Sequence, residues 1–239
     1  MADVLQLSMS IDPQGELLDA ARECESEVFL NTFGNTSDQW QHEYGPYEDC
    51  SIFVALHEPG GDAIAACRIL VPSDIGLKTL DDTSRSPWFV DGYRSARAAG
   101  IDVARTMDIA TIGVRRNLRG TGMIAATALY YAIGALSRHN GLPYIVMIHD
   151  EHARALLTSV GCISHVLPGT HVGEYLGSQA STPVWMHLPT MFDNQRRINP
   201  DGYRLINKGI GLDGLTLPSP EDFELRARMP VAESVLEVA

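Results

Sequence analysis

Residues 107–122, MDIATIGVRRNLRGTG, limit what this chain can fold into more tightly than any other stretch. An apolar strand ends at Val114. A short loop then carries Arg115, Arg116, Arg119, Gly120 and Gly122, and a long apolar helix follows at once. The first N–H groups of a helix have no partner inside it, and the helix dipole places partial positive charge at the same end. The arginines add full charges. The stretch therefore predicts an α/β architecture in which a strand delivers a phosphate-bearing ligand to a helix N-terminus.

The loop is not G-x-x-x-x-G-K-[ST], which excludes a nucleoside-triphosphate P-loop, and it lacks the G-x-G-x-x-G of dinucleotide sites. Arg119-x-x-Gly122, beginning five residues after Val114, resembles the [QR]-x-x-G-x-[GA] motif of the GCN5-related N-acetyltransferases (GNAT), with Ile124 where that family places Gly or Ala. The resemblance implies that Arg119, Gly120, Thr121 and Gly122 hold the pyrophosphate of coenzyme A. It also implies that Ile112, Gly113, Val114 and Arg115 line the rest of the donor. Downstream, a helix over 121–139 stops at Asn140-Gly141, and 142–148 reads as a buried strand. Residues 150–162, DEHARALLTSVGC, resemble the later family motif N-x-x-A-x-x-L-Y-x-x-x-G-F. Ala153, Leu156 and Gly161 match, while Asp150, Leu157 and Cys162 replace Asn, Tyr and Phe. The Tyr of that motif often protonates the departing thiolate in the family. With Leu157 in its place that role is vacant or supplied elsewhere.

The upstream order narrows the resemblance. Residues 25–34 read as the end of an amphipathic helix, 51–57 and 63–72 as strands around the turn EPGGD. This order is similar to that of the acyl-homoserine-lactone synthases and N-acyl amino acid synthases, a branch of the same fold whose strand before the cradle reads roughly W-E-x-S-R-F-x-V. Asp108 falls on the acidic position and Thr111 replaces the Arg. Trp40, Tyr44, Tyr47 and Asp49 resemble the branch's first loop. The likeness covers 17–188 and implies a mixed, mostly antiparallel sheet flanked by helices and splayed where the cofactor enters.

Length and composition agree with one soluble globular domain plus an extension. Residues 1–190 are expected to form the acyltransferase domain. Residues 191–239 form a C-terminal extension, packed on the domain or exchanged with a partner copy in a homodimer. The uncharged run 123–136 is too short to span a bilayer, no secretory signal is evident at the N-terminus, and Cys24, Cys50, Cys67 and Cys162 lack C-x-x-C spacing, so a cytoplasmic protein with reduced thiols and no membrane partner is expected. A formal net charge of −12 argues against nucleic-acid binding. The same charge would repel an acidic acyl carrier protein, which favours acyl-CoA as donor and leaves the carrier protein as the alternative.

Asp108 is an acid in an otherwise apolar strand. It pairs with an arginine there or acts as the general base that takes a proton, through water, from an attacking amine. Glu43, with Asp49, sits in a loop that could close over a cationic acceptor. The HDEH run 149–152 reads as a strand end and first helical turn rather than a metal site. The expected mechanism is direct acyl transfer to the amine of a small molecule. Backbone N–H groups near Ile112, Gly113 and Val114 polarise the thioester carbonyl, with no metal and no covalent enzyme intermediate. Two other classes stay open: a donor-binding or regulatory module of the same fold without catalysis, and a partner-binding protein that works through its extension.

Overall fold

The computed structural model describes residues 6–116 and 122–225. In chain order the elements are β1 (Leu7–Ile11), α1 (Glu16–Phe33), α2 (Ser37–Tyr44), β2 (Ser51–His57), β3 (Ala63–Leu70), α3 (Lys78–Asp82), α4 (Gly92–Ala98), β4 (Thr106–Val114) and α5 (Gly122–Asn140). After them come β5 (Tyr144–Asp150), α6 (Glu151–Ser159), β6 (His165–Val166), β7 (Gly173–Tyr175), β8 (Ser178–His187), α7 (Leu188–Ile198), α8 (Pro200–Lys208) and β9 (Leu215–Thr216). The strands form one sheet in the order β6-β8-β5-β4-β3-β2-β1-β9, with β7 also on β8. Pairing is antiparallel except between β4 and β5 and between β1 and β9. This is the mixed, mostly antiparallel sheet flanked by helices that the sequence predicts.

The central strands β2 and β3 are buried along their whole length, as continuous apolar runs covered on both faces must be. Their side chains alternate between two cores. Ile52, Val54 and Leu56 face the large core that also takes in Ala128, Leu129, Ala132 and Leu136 of α5. Phe53, Ala55, Ala63 and Ala66 face α1, which contributes Ala21 and Cys24. Small side chains on that face bring α1 close to the sheet. The same closeness reaches β4, where a Cβ on Gly113 would meet Val28 Cγ1 of α1 at 3.0 Å. Helix α1 ends at Gly34, whose φ of 77° suits a left-handed C-cap and whose N–H closes on the Leu30 carbonyl.

The expected boundary at 190/191 falls inside α7. Met191, Phe192, Ile206, Leu212, Phe223 and Leu225 all belong to the large core, so the described part of the C-terminal segment is packed on the domain. Asn140 ties it to the end of α5: its Nδ2 donates to the Phe223 carbonyl at 2.7 Å and its Oδ1 accepts from the Leu225 N–H at 2.7 Å. Among the described residues no helix is long and apolar enough to cross a membrane.

Candidate active site

Two features of β4 create the site. The first is a bulge. Ile69 of β3 stands opposite Ile109 while Arg68 stands opposite Thr111, so Ala110 has no partner. The extra residue keeps Asp108, Thr111 and Gly113 on the α1 side of the sheet although their spacing is not even. The second is a splay. The parallel ladder between β4 and β5 runs through Thr106, Met107 and Asp108, paired with Tyr144, Ile145 and Val146, and stops there. Strand β5 continues to Asp150 against β8. The two strands diverge past the bulge, and a cleft of about 150 Å³ opens between them.

The β4 edge of this cleft carries backbone groups that the sheet does not use. The Arg115 N–H donates to the Ile64 carbonyl at 2.9 Å. Bonded residues alternate along an antiparallel ladder, so Gly113 also faces β3, while the N–H groups of Ile112 and Val114 turn toward the side that β5 has left. Helix α5 begins at Gly122 near the end of β4, and among the described residues a Cβ added there would meet nothing nearer than Val114 Cγ1 at 4.0 Å. Of the expected donor-binding residues, the structure thus brings together Ile112, Val114 and Gly122. Gly113 answers to helix packing, and Arg115 is engaged by Glu27 of α1 at 2.7 Å. Arg119, Gly120 and Thr121 lie outside the described residues.

The cleft walls are aromatic on one side and mixed on the other. Phe29 and Phe33 of α1, Tyr44 of α2 and Tyr175 of β7 line the first; Met147, Ile148, His149 and Asp150 of β5 line the second. Behind Ile109, Ile112, Tyr130 and Met147, which it shares with the cleft, lies a smaller apolar space bounded by Ile133, Leu157, Met186, Met191 and Phe192. Leu157, at the position of the family's Tyr, is buried in this apolar wall.

Asp108 is fully buried and faces α3, not the cleft. Its Oδ2 accepts from the Thr79 N–H at 2.6 Å and its Oδ1 from the Thr79 hydroxyl at 2.7 Å. Burial pushes its carboxyl up to about 6, against the pull of those bonds. With both oxygens taken, the expected base role finds no open path to an acceptor in this geometry. Glu43 is likewise committed. It holds the buried Lys78 ammonium at 2.6 Å and Arg85 at 3.3 Å, and these partners outweigh burial to keep its carboxyl below the usual range. Lys78 also pairs with Asp82 at 2.6 Å, and Asp82 accepts from the Tyr175 hydroxyl at 2.5 Å. The network fixes Tyr175 as cleft wall.

A second buried network was not foreseen. Arg68 of β3 binds Glu25 of α1 at 2.8 Å and Glu48 at 2.7 Å. Glu25 also accepts from the Trp40 indole at 3.1 Å and the Thr111 hydroxyl at 2.5 Å. Two charged residues, each alone in an otherwise apolar face, were the signal: a buried charge needs a partner of opposite sign. These bonds pin α1 and α2 beside the bulge, placing Phe29 and Tyr44 at the cleft.

On β5, Asp150 caps α6, accepting from the His152 N–H at 2.9 Å and the Ser178 hydroxyl at 2.6 Å. His149 beside it has no such engagement. Its Nδ1 is enclosed and unpaired, and neither ring nitrogen is hydrogen-bonded among the described residues. Burial, with Arg154 nearby, pushes its imidazole down to about 4, so the ring is neutral at pH 7.

No protein-family model and no curated protein sequence matches the chain. Solved structures do. FeeM, an N-acyl amino acid synthase from uncultured soil microbes, superposes with a TM-score of 0.60 at 10% identity, over 81% of this chain and 96% of that one. The acyl-homoserine-lactone synthase LasI matches at 0.54 and 11% identity, covering 77% and 91%. BjaI, a CoA-dependent acyl-homoserine lactone synthase, matches at 0.52 and 12% identity, covering 92% and 97%. The chain shares the fold of these structures, the GNAT fold expected from the sequence.

Proposed function

We propose that a chain with this fold and this cleft is an N-acyltransferase that moves an acyl group from an acyl-CoA thioester to the amine of a small molecule by direct attack. The observation that carries the reading is the splay of β4 from β5 beyond Asp108, with the N–H groups of Ile112 and Val114 turned into the gap beside the start of α5. An arm bearing amides, such as that of coenzyme A, can pair with those N–H groups as a further strand would. Its pyrophosphate then reaches the N-terminus of α5, beside the stretch Arg119 to Gly122 that the sequence motif assigns to it. In this reading the thioester carbonyl lies beside the bulge, where Ala110 is unpaired in the ladder. On the same reading the acyl group points toward the apolar space behind Met147 and Tyr130, which at about 30 Å³ has room for a short chain as it stands, and the aromatic wall of Phe29, Phe33 and Tyr44 takes the acceptor. Among the described residues of the cleft lining Asp150 is the one carboxylate and it is engaged by Ser178 and His152, so this reading has the acceptor held by its apolar body.

The test is turnover. Acetyl-, hexanoyl- and dodecanoyl-CoA are each offered with the proteinogenic amino acids and simple aromatic amines. Free thiol is read with a chromogenic reagent and the amide product by mass. The reading predicts amine-dependent thiol release with an amide of matching mass. Donor binding without release under every pairing supports a non-catalytic module instead, and absence of donor binding contradicts both.

A further inference from the structure

The acyl-transfer reading leaves a chemical gap. An amine that attacks a thioester must lose a proton, and the departing sulfur must gain one. Leu157 carries no proton, and Asp108 is closed off by Thr79. Among the described residues that line the cleft, His149 is left unspent; the Tyr44 and Tyr130 hydroxyls make no hydrogen bond either, but burial pushes both phenols above their ordinary value, so they stay protonated and cannot accept the amine proton. Ile145, Met147 and His149 alternate onto one face of β5. The first two join the core under α5 and α6, the core that also buries Leu157. His149 is the last of this row, where β5 has parted from β4, so it meets the cleft on the face that Leu157 leaves apolar. Its neighbours have other partners. Asp150 is bound by Ser178 and His152, Glu151 by Thr182 at 2.6 Å and Arg154 at 3.1 Å, and Thr182 stands opposite His149 on β8. An enclosed, unpaired ring nitrogen costs stability, and a polar group kept at that cost in a cleft is one that a ligand completes.

We infer that His149 is the proton-transfer residue of the acyl transfer, carrying the proton from the attacking amine to the leaving sulfur. The proposal rests on the acyl-transfer reading above. The amine lone pair forms the new C–N bond while the carbonyl π pair moves onto oxygen. An imidazole nitrogen accepts the N–H proton, and the bonding pair stays on the amine nitrogen. The carbonyl re-forms, the C–S bond breaks with its pair on sulfur, and the imidazolium returns the proton to sulfur. The products are an amide and a free thiol, with the imidazole neutral again. A ring that starts neutral can accept the proton. The thiolate formed beside the imidazolium offsets the burial of that charge.

The experiment compares wild type with His149→Phe and His149→Gln, using hexanoyl-CoA as donor and whichever amine gives wild-type turnover. Phe keeps a flat ring and removes both nitrogens; Gln keeps a hydrogen-bonding group that neither takes up nor gives up a proton at neutral pH. Both variants are expected to bind hexanoyl-CoA within about threefold of wild type by calorimetry and to lose about 10²–10⁴-fold in kcat. His149→Phe is expected to melt no lower than wild type, because it removes an unpaired buried polar group. Thiol release by both variants within about threefold of wild type overturns the role of His149 alone. Loss of kcat in parallel with loss of donor binding also overturns it, in favour of a binding role. If wild type releases no thiol with any amine, the acyl-transfer reading falls and this proposal falls with it.

Discussion

Asp108 shows how far a single residue can be read. An acid inside MDIATIGV is conspicuous without any structure, and burial does raise its carboxyl to about 6. Its partner was not legible, because Thr79 lies 29 residues away on a helix of five residues. The native state holds the Asp108 proton to higher pH than the unfolded chain, whose carboxyl titrates near 4. Its contribution therefore favours folding fully below about pH 4 and is lost as pH rises through about 6, by roughly 3 kcal/mol. Asp108→Asn can still accept from the Thr79 N–H. The variant is predicted to lose this fall in stability between pH 4 and 6, read as the difference between urea midpoints of the two proteins across that range. Parallel curves would mean that Asp108 titrates alike in the native and unfolded states, so that burial does not raise its carboxyl. Glu25 supplies a second case. Glu25→Ala leaves the Arg68 guanidinium buried with only Glu48 and Ser51 as hydrogen-bond partners, and is predicted to cost about 3–5 kcal/mol in urea unfolding. A cost under about 1 kcal/mol would show that the pair is not buried in solution.

At the scale of elements, apolar continuity made β2, β3 and β5 legible, and Asn140-Gly141 marked the end of α5. Helices α3 and α4, of five and seven residues, are too short to show a period, and their positions depend on tertiary bonds such as Tyr93 hydroxyl to Leu77 N–H at 3.0 Å. The splay is of the same kind. Nothing in LPYIVMIHD says that its ladder with β4 ends at Val146; only the resemblance to acyltransferases implied the gap. The β4–α5 junction gives the element-scale prediction. Among the described residues nothing crowds a side chain at 122, so Gly122→Val is expected to fold with an unchanged melting temperature. It blocks close backbone approach to a phosphate and is expected to weaken acyl-CoA binding at least as much as Arg119→Ala, for which about 1.5–3 kcal/mol is anticipated. Calorimetric titration of both variants at wild-type affinity would place the pyrophosphate elsewhere.

For the whole molecule, the C-terminal segment is where the sequence was hardest to read. Its two helices are short and separated by Asn199-Pro200; the spacing of Leu188, Met191, Phe192 and Gln195 on α7 is helical, but Leu212 and Phe223 come in pieces between glycines and polar turns, and nothing local announces that they complete the core under α5. The architecture that positions the site was more accessible, because one strand–loop–helix junction implies both the phosphate end of a donor and the strand along which it lies. The central claim is that the donor pairs with the free edge of β4, and amide hydrogen exchange read residue by residue tests it most directly. Without ligand, the Gly113 N–H, held by β3, should exchange slowly, and those of Ile112 and Val114 faster. On addition of hexanoyl-CoA, Ile112 and Val114 should become protected together while Gly113 changes little. Saturation with hexanoyl-CoA that leaves Ile112 and Val114 exchanging at their free rates would contradict the account.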